Sequence, residues 1–341
     1  LVFLLAVVPV SGRNDGFTMH LLRAESPGPN VAKLVPRIRS TAGILYILYI
    51  VLTVVDFLLL IVGKMPVLEA VCTAFGTAGT GGFGVKNDSM ASYSPYIQNV
   101  CTVFMLLFGV NFSCYYLLIM KQVKSVYKDE ELRLYVGMVL GSVLLIVINL
   151  RGFYGTFEET VRHAFFQVAS IVTTTGFATT DFDLWPGFSK SILLCLMVVG
   201  ACAGSTGGGF KCGRLLLVFK SLRRNIQKML RPQRIQAVRS NKQVVSEKVL
   251  ENTNAYLAAY VLIIMFSLLV TSIDGFSVGT NFSAVLACFN NIGPGLELVG
   301  PTCNFSIYSP LAKIVLIFDM LAGRLEIFPI LILLSRDTWR R

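Results

Sequence analysis

Charge is what this 341-residue sequence has least of. Asp, Glu, Lys and Arg make up 14% of it, against about 25% in water-soluble domains. Histidine is scarcer still, at two residues, His20 and His163. They are isolated and far apart, which argues against a metal centre or a histidine base. No nucleophile–base set is visible, so an enzyme is not expected. The eight cysteines show no metal-type spacing, and Cys195 and Cys202 are far from a CxxC pair. They read as small apolar residues, and only Cys303 falls in a stretch placed outside. Acid is almost absent from 214–248, which hold ten Lys/Arg and one acid, Glu247; base is wholly absent from 275–310.

What is present is apolar. The chain is 54% hydrophobic with a mean hydropathy of +0.68. It reads as an all-α integral membrane protein. A net charge of +11 would suggest nucleic acid in a soluble protein. Here the bases cluster in a few loops, and the positive-inside rule accounts for them. Residues 13–40, 121–131, 214–248 and the C-terminus are therefore placed in the cytoplasm.

A spanning helix needs about 20 apolar residues. Residues 43–63, 96–120, 132–150, 254–273 and 308–335 qualify. Residues 186–220 are too long for one straight span, reaching roughly 50 Å at 1.5 Å per residue. Between the spans lie shorter apolar segments, 66–76, 157–172 and 280–289. Each is on the external side, and each leads into a small, polar, glycine-containing stretch and then another span. This is an internal repeat. Thr80-Gly81-Gly82-Phe83 aligns with Thr174-Thr175-Gly176-Phe177 and with Asn291-Ile292-Gly293-Pro294.

Irregular backbone at membrane depth must be buried or line a water-filled path. Carbonyls from several such loops can replace a cation's hydration shell. The partly negative ends of the short helices would favour a cation there. Three external Gly/Thr turns are the plainer alternative; their common register favours pore loops. Gly82 and Gly176 are 94 residues apart, and another such step back falls before residue 1. The chain thus reads as three complete helix–pore loop–helix repeats around a central pore, with the first repeat truncated and its loop missing.

The long stretch 186–220 is interrupted by Gly200-Ala-Cys-Ala-Gly-Ser-Thr-Gly-Gly-Gly-Phe-Lys211. A phosphate-binding loop fails here, because Phe210 stands where the motif requires lysine.

Together, 77–89 (TAGTGGFGVKNDS), 173–182 (TTTGFATTDF), 200–211 and 322–333 (AGRLEIFPILIL) resemble the Trk/Ktr/HKT superfamily of potassium transporters, most closely the bacterial Trk-type pore subunit. The resemblance covers essentially the whole chain, and AGSTGGGFK is its most specific element. It implies potassium uptake across the bacterial plasma membrane, through a four-loop filter with an intramembrane gating loop. It also implies a homodimer, each protomer with its own pore, regulated by a cytoplasmic ring of nucleotide-binding subunits. The nucleotide (NAD or ATP/ADP) is expected on that partner, with no cofactor on this chain beyond the potassium ion; membrane lipids are the other expected partner, and nucleic acid is not. A sodium- or proton-coupled symporter of the same superfamily is the alternative.

Carried over, the filter is Thr80, Gly81, Gly82, Thr174, Thr175, Gly176, Asn291, Ile292 and Gly293. The gate is Gly204, Ser205, Thr206, Gly207, Gly208, Gly209 and Lys211 within 203–211, held by Arg324 of the last span. The organisation that follows is 1–12, end of the last helix of repeat one; 13–42, basic cytoplasmic loop; 43–121, repeat two; 132–220, repeat three; 221–250, basic cytoplasmic linker; 251–335, repeat four; 336–341, cytoplasmic tail. Pro294, a rigid residue without an N–H, departs from a plain glycine loop.

Read from the residues alone, Arg324 at the centre of a span faces the interior with a partner or snorkels to the interface. Lys211 is either a plug charge that repels cations or the first cytoplasmic anchor of the broken helix. Asp56 also lies inside a span. A secondary transporter with inverted repeats is a competing class, but all three loops enter from one side, which favours a channel.

Overall fold

The computed structural model describes residues 38–231, 236–241, 243–325 and 327–334. The expected end of a preceding helix at 1–12, almost all of the 13–42 loop and the 336–341 tail lie outside the described residues. Among those described, three helices are long and apolar enough to cross a membrane: α1 (Ile38–Val62), α6 (Glu130–Asn149) and α10 (Glu247–Thr271). Their outward faces are apolar, with Ile47, Val51, Val54 and Leu58 exposed on α1 and Leu262, Phe266 and Leu269 on α10. Such faces are stable only against lipid or another protein.

Each long helix is followed by a short one: α2 (Val67–Ala78), α7 (Phe157–Val172) and α11 (Val278–Phe289). These match the predicted half-length segments to within two residues at each end. Two of the short helices, α7 and α11, are the inner layer, whereas α2 leaves Val67, Leu68 and Phe75 exposed. α7 buries residues on every side from His163 to Val172, apart from Phe165, and α11 does the same from Ser283 to Phe289. Each then leads through a loop to a further helix: α3 (Pro95–Phe108), α8 (Gly187–Val198) and α12 (Pro310–Arg324). Two of these start with the same signature, a Ser N-cap and Pro at N1, at Ser94-Pro95 and Ser309-Pro310, where proline's missing N–H costs nothing.

The units pack side by side. α3 lies on α7, α8 lies on α11, and a further helix, α9 (Cys212–Leu230), bridges α6 and α10. The core divides accordingly into clusters around Val139, Ile171 and Trp185, around Tyr260, Leu286 and Leu316, and around Leu60, Met105 and Phe177.

Two expected spans are not straight. Residues 96–120 form α3 and α4 (Phe112–Ile119), bent by 88° at Gly109–Asn111. Crowding fixes the bend: a Cβ on Gly109 would come within 2.8 Å of Thr173 Cγ2. The Asn111 side chain then caps the new helix by accepting from the Ser113 N–H. Residues 308–335 are likewise two helices, α12 and α13 (Ile327–Leu334). The expected linker 221–250 also has structure, since α9 runs on to Leu230. A short antiparallel pair, β1 (Arg239–Ser240) and β2 (Gln243–Val244), follows.

Candidate functional site

The three loops share one backbone construction. After α2, the Thr80 N–H donates to Thr77 O and the Gly81 N–H to Gly76 O. After α7, Thr174 donates to Ile171 O and Thr175 to Ser170 O; after α11, Asn291 donates to Cys288 O and Ile292 to Ala287 O. This is the Schellman end of a helix, whose left-handed residue is ordinarily glycine. Here the left-handed positions are Thr80 (φ 50°), Thr174 (φ 58°) and Asn291 (φ 55°). A β-branched residue with positive φ is an outlier, and such strain collects at functional sites. Two residues on, Gly82, Gly176 and Gly293 are again at positive φ.

The loops interlock. A Cβ on Gly82 would overlap the Thr175 carbonyl oxygen, and a Cβ on Gly176 would overlap that of Ile292. Only glycine permits this approach. The Pro294 ring lies beside Gly176. Thus the structure brings the nine predicted filter residues together, with carbonyl groups of one loop against the glycine of the next. Buried hydroxyls brace them: Ser170 Oγ donates to Phe177 O at 2.6 Å, and Thr173 and Thr175 share a hydroxyl bond at 2.8 Å.

The irregular segment 199–211 lies directly against these loops. The Gly208 N–H donates to Thr174 Oγ1 (2.6 Å), and Thr80 Oγ1 donates to Thr206 O (3.0 Å). A Cβ on Gly208 would meet Asn290 O at 2.7 Å, and one on Gly207 would meet Thr173 O at 2.9 Å. The break in α8–α9 and the bend in α3–α4 satisfy each other. The Cys202 N–H donates to Gly109 O, Thr206 to Phe108 O, and Phe112 to Gly204 O. Backbone groups that each helix leaves open at its break are paired by the other, as apolar surroundings require.

Three charged residues hold the segment. Arg324 Nη1 donates to Thr206 O at 3.2 Å. The arginine is therefore not mid-span, as an unbroken 308–335 helix would have it. It ends α12, where helix termination frees it to reach the loop, its side chain is exposed within the chain, and its charge faces the negative helix end. Lys211 is buried, and its ammonium turns back onto Gly207 O. Glu131, at the start of α6, accepts from the Ala203 N–H at 2.6 Å.

Glu131, Gly109, Asn111 and Asn290 belong to none of the sequence motifs. A Gly-x-Asn interruption in the apolar run 101–120 is the one sign of the second break. Glu131 looks like an ordinary acid in a helix's first turn. Elsewhere, Asp56 is fully buried in α1, and neither carboxylate oxygen has a partner among the described residues. The hydroxyls of Ser277, which caps α11, and of Thr280 in its first turn donate to the Glu297 carboxylate, holding it below the usual carboxylate range.

The profile of a cation transport protein family, TrkH, matches residues 1–150 and 155–339. The Trk system potassium uptake protein TrkH of Salmonella typhimurium is 36% identical over 348 residues, covering 100% of this chain and 70% of that protein. The Trk system potassium uptake protein TrkG of Escherichia coli is 32% identical over 349 residues, with the same coverage. The crystal structure of the potassium transporter TrkH from Vibrio parahaemolyticus superposes with a TM-score of 0.84 at 31% identity, covering 95% of this chain and 69% of that one. The chain is a multi-pass membrane protein, and it belongs to the TrkH family of cation transport proteins.

Proposed function

We propose that this chain takes up potassium through a pore in the bacterial plasma membrane. The loops 80–82, 174–176 and 291–293 would form its filter, and 203–211 its gate. The observation that carries the reading is the interlocking of three identically built turns, each with a non-glycine residue in the left-handed region and glycine two residues later, with a glycine-rich break packed against them. Such backbone offers carbonyl oxygens at fixed positions, which suits a dehydrated monovalent cation. Potassium, rather than another cation, rests on the relatives' names. The break has bonds to both the filter loops and Arg324, so its displacement would open a path without disturbing the turns.

The homodimer and the cytoplasmic nucleotide-binding ring complete the proposal. The ring would dock on the basic end of α9 and the hairpin, where Lys220, Arg223, Arg224 and Arg239 line a cavity of about 230 Å³. The test is reversal potentials of the full-length protein in potassium and sodium gradients, with and without the ring. Potassium preference and ring-dependent flux are expected. Equal permeation of both ions would overturn the filter assignment. A potential that follows a proton or sodium gradient would replace the channel with the symporter.

A further inference from the structure

One side chain lies against both the start of the segment 203–211 and the first turn of the helix that follows it. Glu131 Oε1 accepts from the Ala203 N–H at 2.6 Å. The same carboxylate lies against Gly213, where an added Cβ would come 3.0 Å from Oε1. Ala203 is where the irregular segment turns toward the filter, and Gly213 is in the first turn of α9. Charge-assisted bonds to backbone N–H groups are the stronger kind. An acid against the first turn of a helix also complements its dipole.

Glu131 is itself held in place. Its neighbour Asp129 caps α6 by accepting from the Leu132 N–H at 2.9 Å, and accepts from Asn241 Nδ2 at 2.7 Å. Glu130 pairs with Lys220 of α9 and accepts from the Asn241 N–H at 3.2 Å. The start of α6 is therefore fixed to α9 and to the hairpin turn before Glu131 reaches the break.

We infer that Glu131 is a positioning residue for the gate: its carboxylate clasps the two ends of 203–213 and keeps the intervening glycines folded against the filter. The inference rests on the proposed gate. It adds an anchor on α6, separate from Arg324 on α12, and it assigns that anchor to the ends of the segment, whereas Arg324 holds its middle.

The experiment is basal rubidium flux in proteoliposomes of the full-length protein without the ring, together with the potassium-to-sodium preference. Glu131→Ala should raise basal flux about tenfold, the equivalent of roughly 1.4 kcal/mol, with preference kept. Glu131→Gln keeps an acceptor oxygen but loses the charge, so it should fall between alanine and wild type. Gly213→Ala places a methyl against the carboxylate and should also raise flux, without removing the acid; it decides the matter if Glu131→Ala does not fold. Deletion of 206–209 separates the two readings. If the deletion raises flux and folded Glu131→Ala and Gly213→Ala do not, the clasp is wrong and the gate stands. If the deletion leaves flux unchanged, the gate and the clasp fall together.

Discussion

The turns proposed as the filter and the segment proposed as the gate meet across a few ångströms and are built on opposite principles. Each turn is closed by bonds to its own helix, within six residues: Thr80 to Thr77 and Gly81 to Gly76, Thr174 to Ile171 and Thr175 to Ser170. The segment 199–211 has its main partners elsewhere in the chain, at Phe108, Gly109, Thr80, Thr174, Glu131 and Arg324. Local bonds survive small movements between units. Long-range bonds break one by one as helices shift. On the proposed roles, the filter would keep its geometry through its own helices, and the gate would be held, and released, by its neighbours. Glycine serves both, but differently. In the turns it admits a neighbouring carbonyl; in the break it lets backbone lie flat against backbone.

The largest effect should come from filling the contact between turns. Gly176→Ser forces a side chain at φ 87° and into the Ile292 carbonyl. The left-handed conformation alone costs about 1–2 kcal/mol, and the overlap can be relieved only by moving one loop. Discrimination between potassium and sodium should be lost while the protein remains folded. Reversal potentials that match wild type would place the filter elsewhere. If basal flux rose with selectivity intact, the turns and the segment would not be separable parts.

The next effect belongs to the segment. The bond from Arg324 to Thr206 O is charge-assisted and worth on the order of 1.5–3 kcal/mol. A loss of about 2 kcal/mol from the closed arrangement shifts the open:closed ratio roughly thirtyfold. Arg324→Ala, or deletion of 206–209, should raise ring-independent rubidium flux by an amount of that order with selectivity kept. Flux at or below wild type in folded protein would make 203–211 a structural kink.

These expectations depend on what is legible in the sequence. The short helices are legible because an apolar run half a membrane long, followed by Gly and Thr, is too short to span and too apolar to lie in water; 157–172 matches α7 end to end. The break in 186–220 is legible because five glycines, from Gly200 to Gly209, interrupt an apolar run. The bend at Gly109–Asn111 is not, because one glycine and one asparagine are too weak a signal inside an otherwise continuous hydrophobic stretch. What bends it is a distant partner, the segment 202–206, which supplies and accepts its freed backbone bonds. Glu131 is hidden for the same reason. Its local role, an acid in a first turn, is ordinary, and its partner is 72 positions away. Arg324 reads as mid-span because nothing in LAGRLEIF announces that a helix stops.

The smallest effect tests the joint between the two regions. Thr80 belongs to both: its backbone makes the left-handed turn, and its one hydroxyl proton has two acceptors in reach, Gly79 O at 2.7 Å and Thr206 O at 3.0 Å. Thr80→Val keeps the branched shape and the backbone strain and removes only the hydroxyl. A neutral hydrogen bond is worth about 1 kcal/mol net, so the closed arrangement should weaken about fivefold. Basal rubidium flux should rise by that factor, less than for Arg324→Ala, and the potassium-to-sodium preference should hold. Both donors share one acceptor, the Thr206 carbonyl. The double variant should therefore fall short of the product of the single effects, because residues sharing a partner do not act independently. If Thr80→Val instead changed selectivity and left flux alone, its hydroxyl would act in the filter and not on the gate. The two regions would then be joined through Thr174, and not through Thr80.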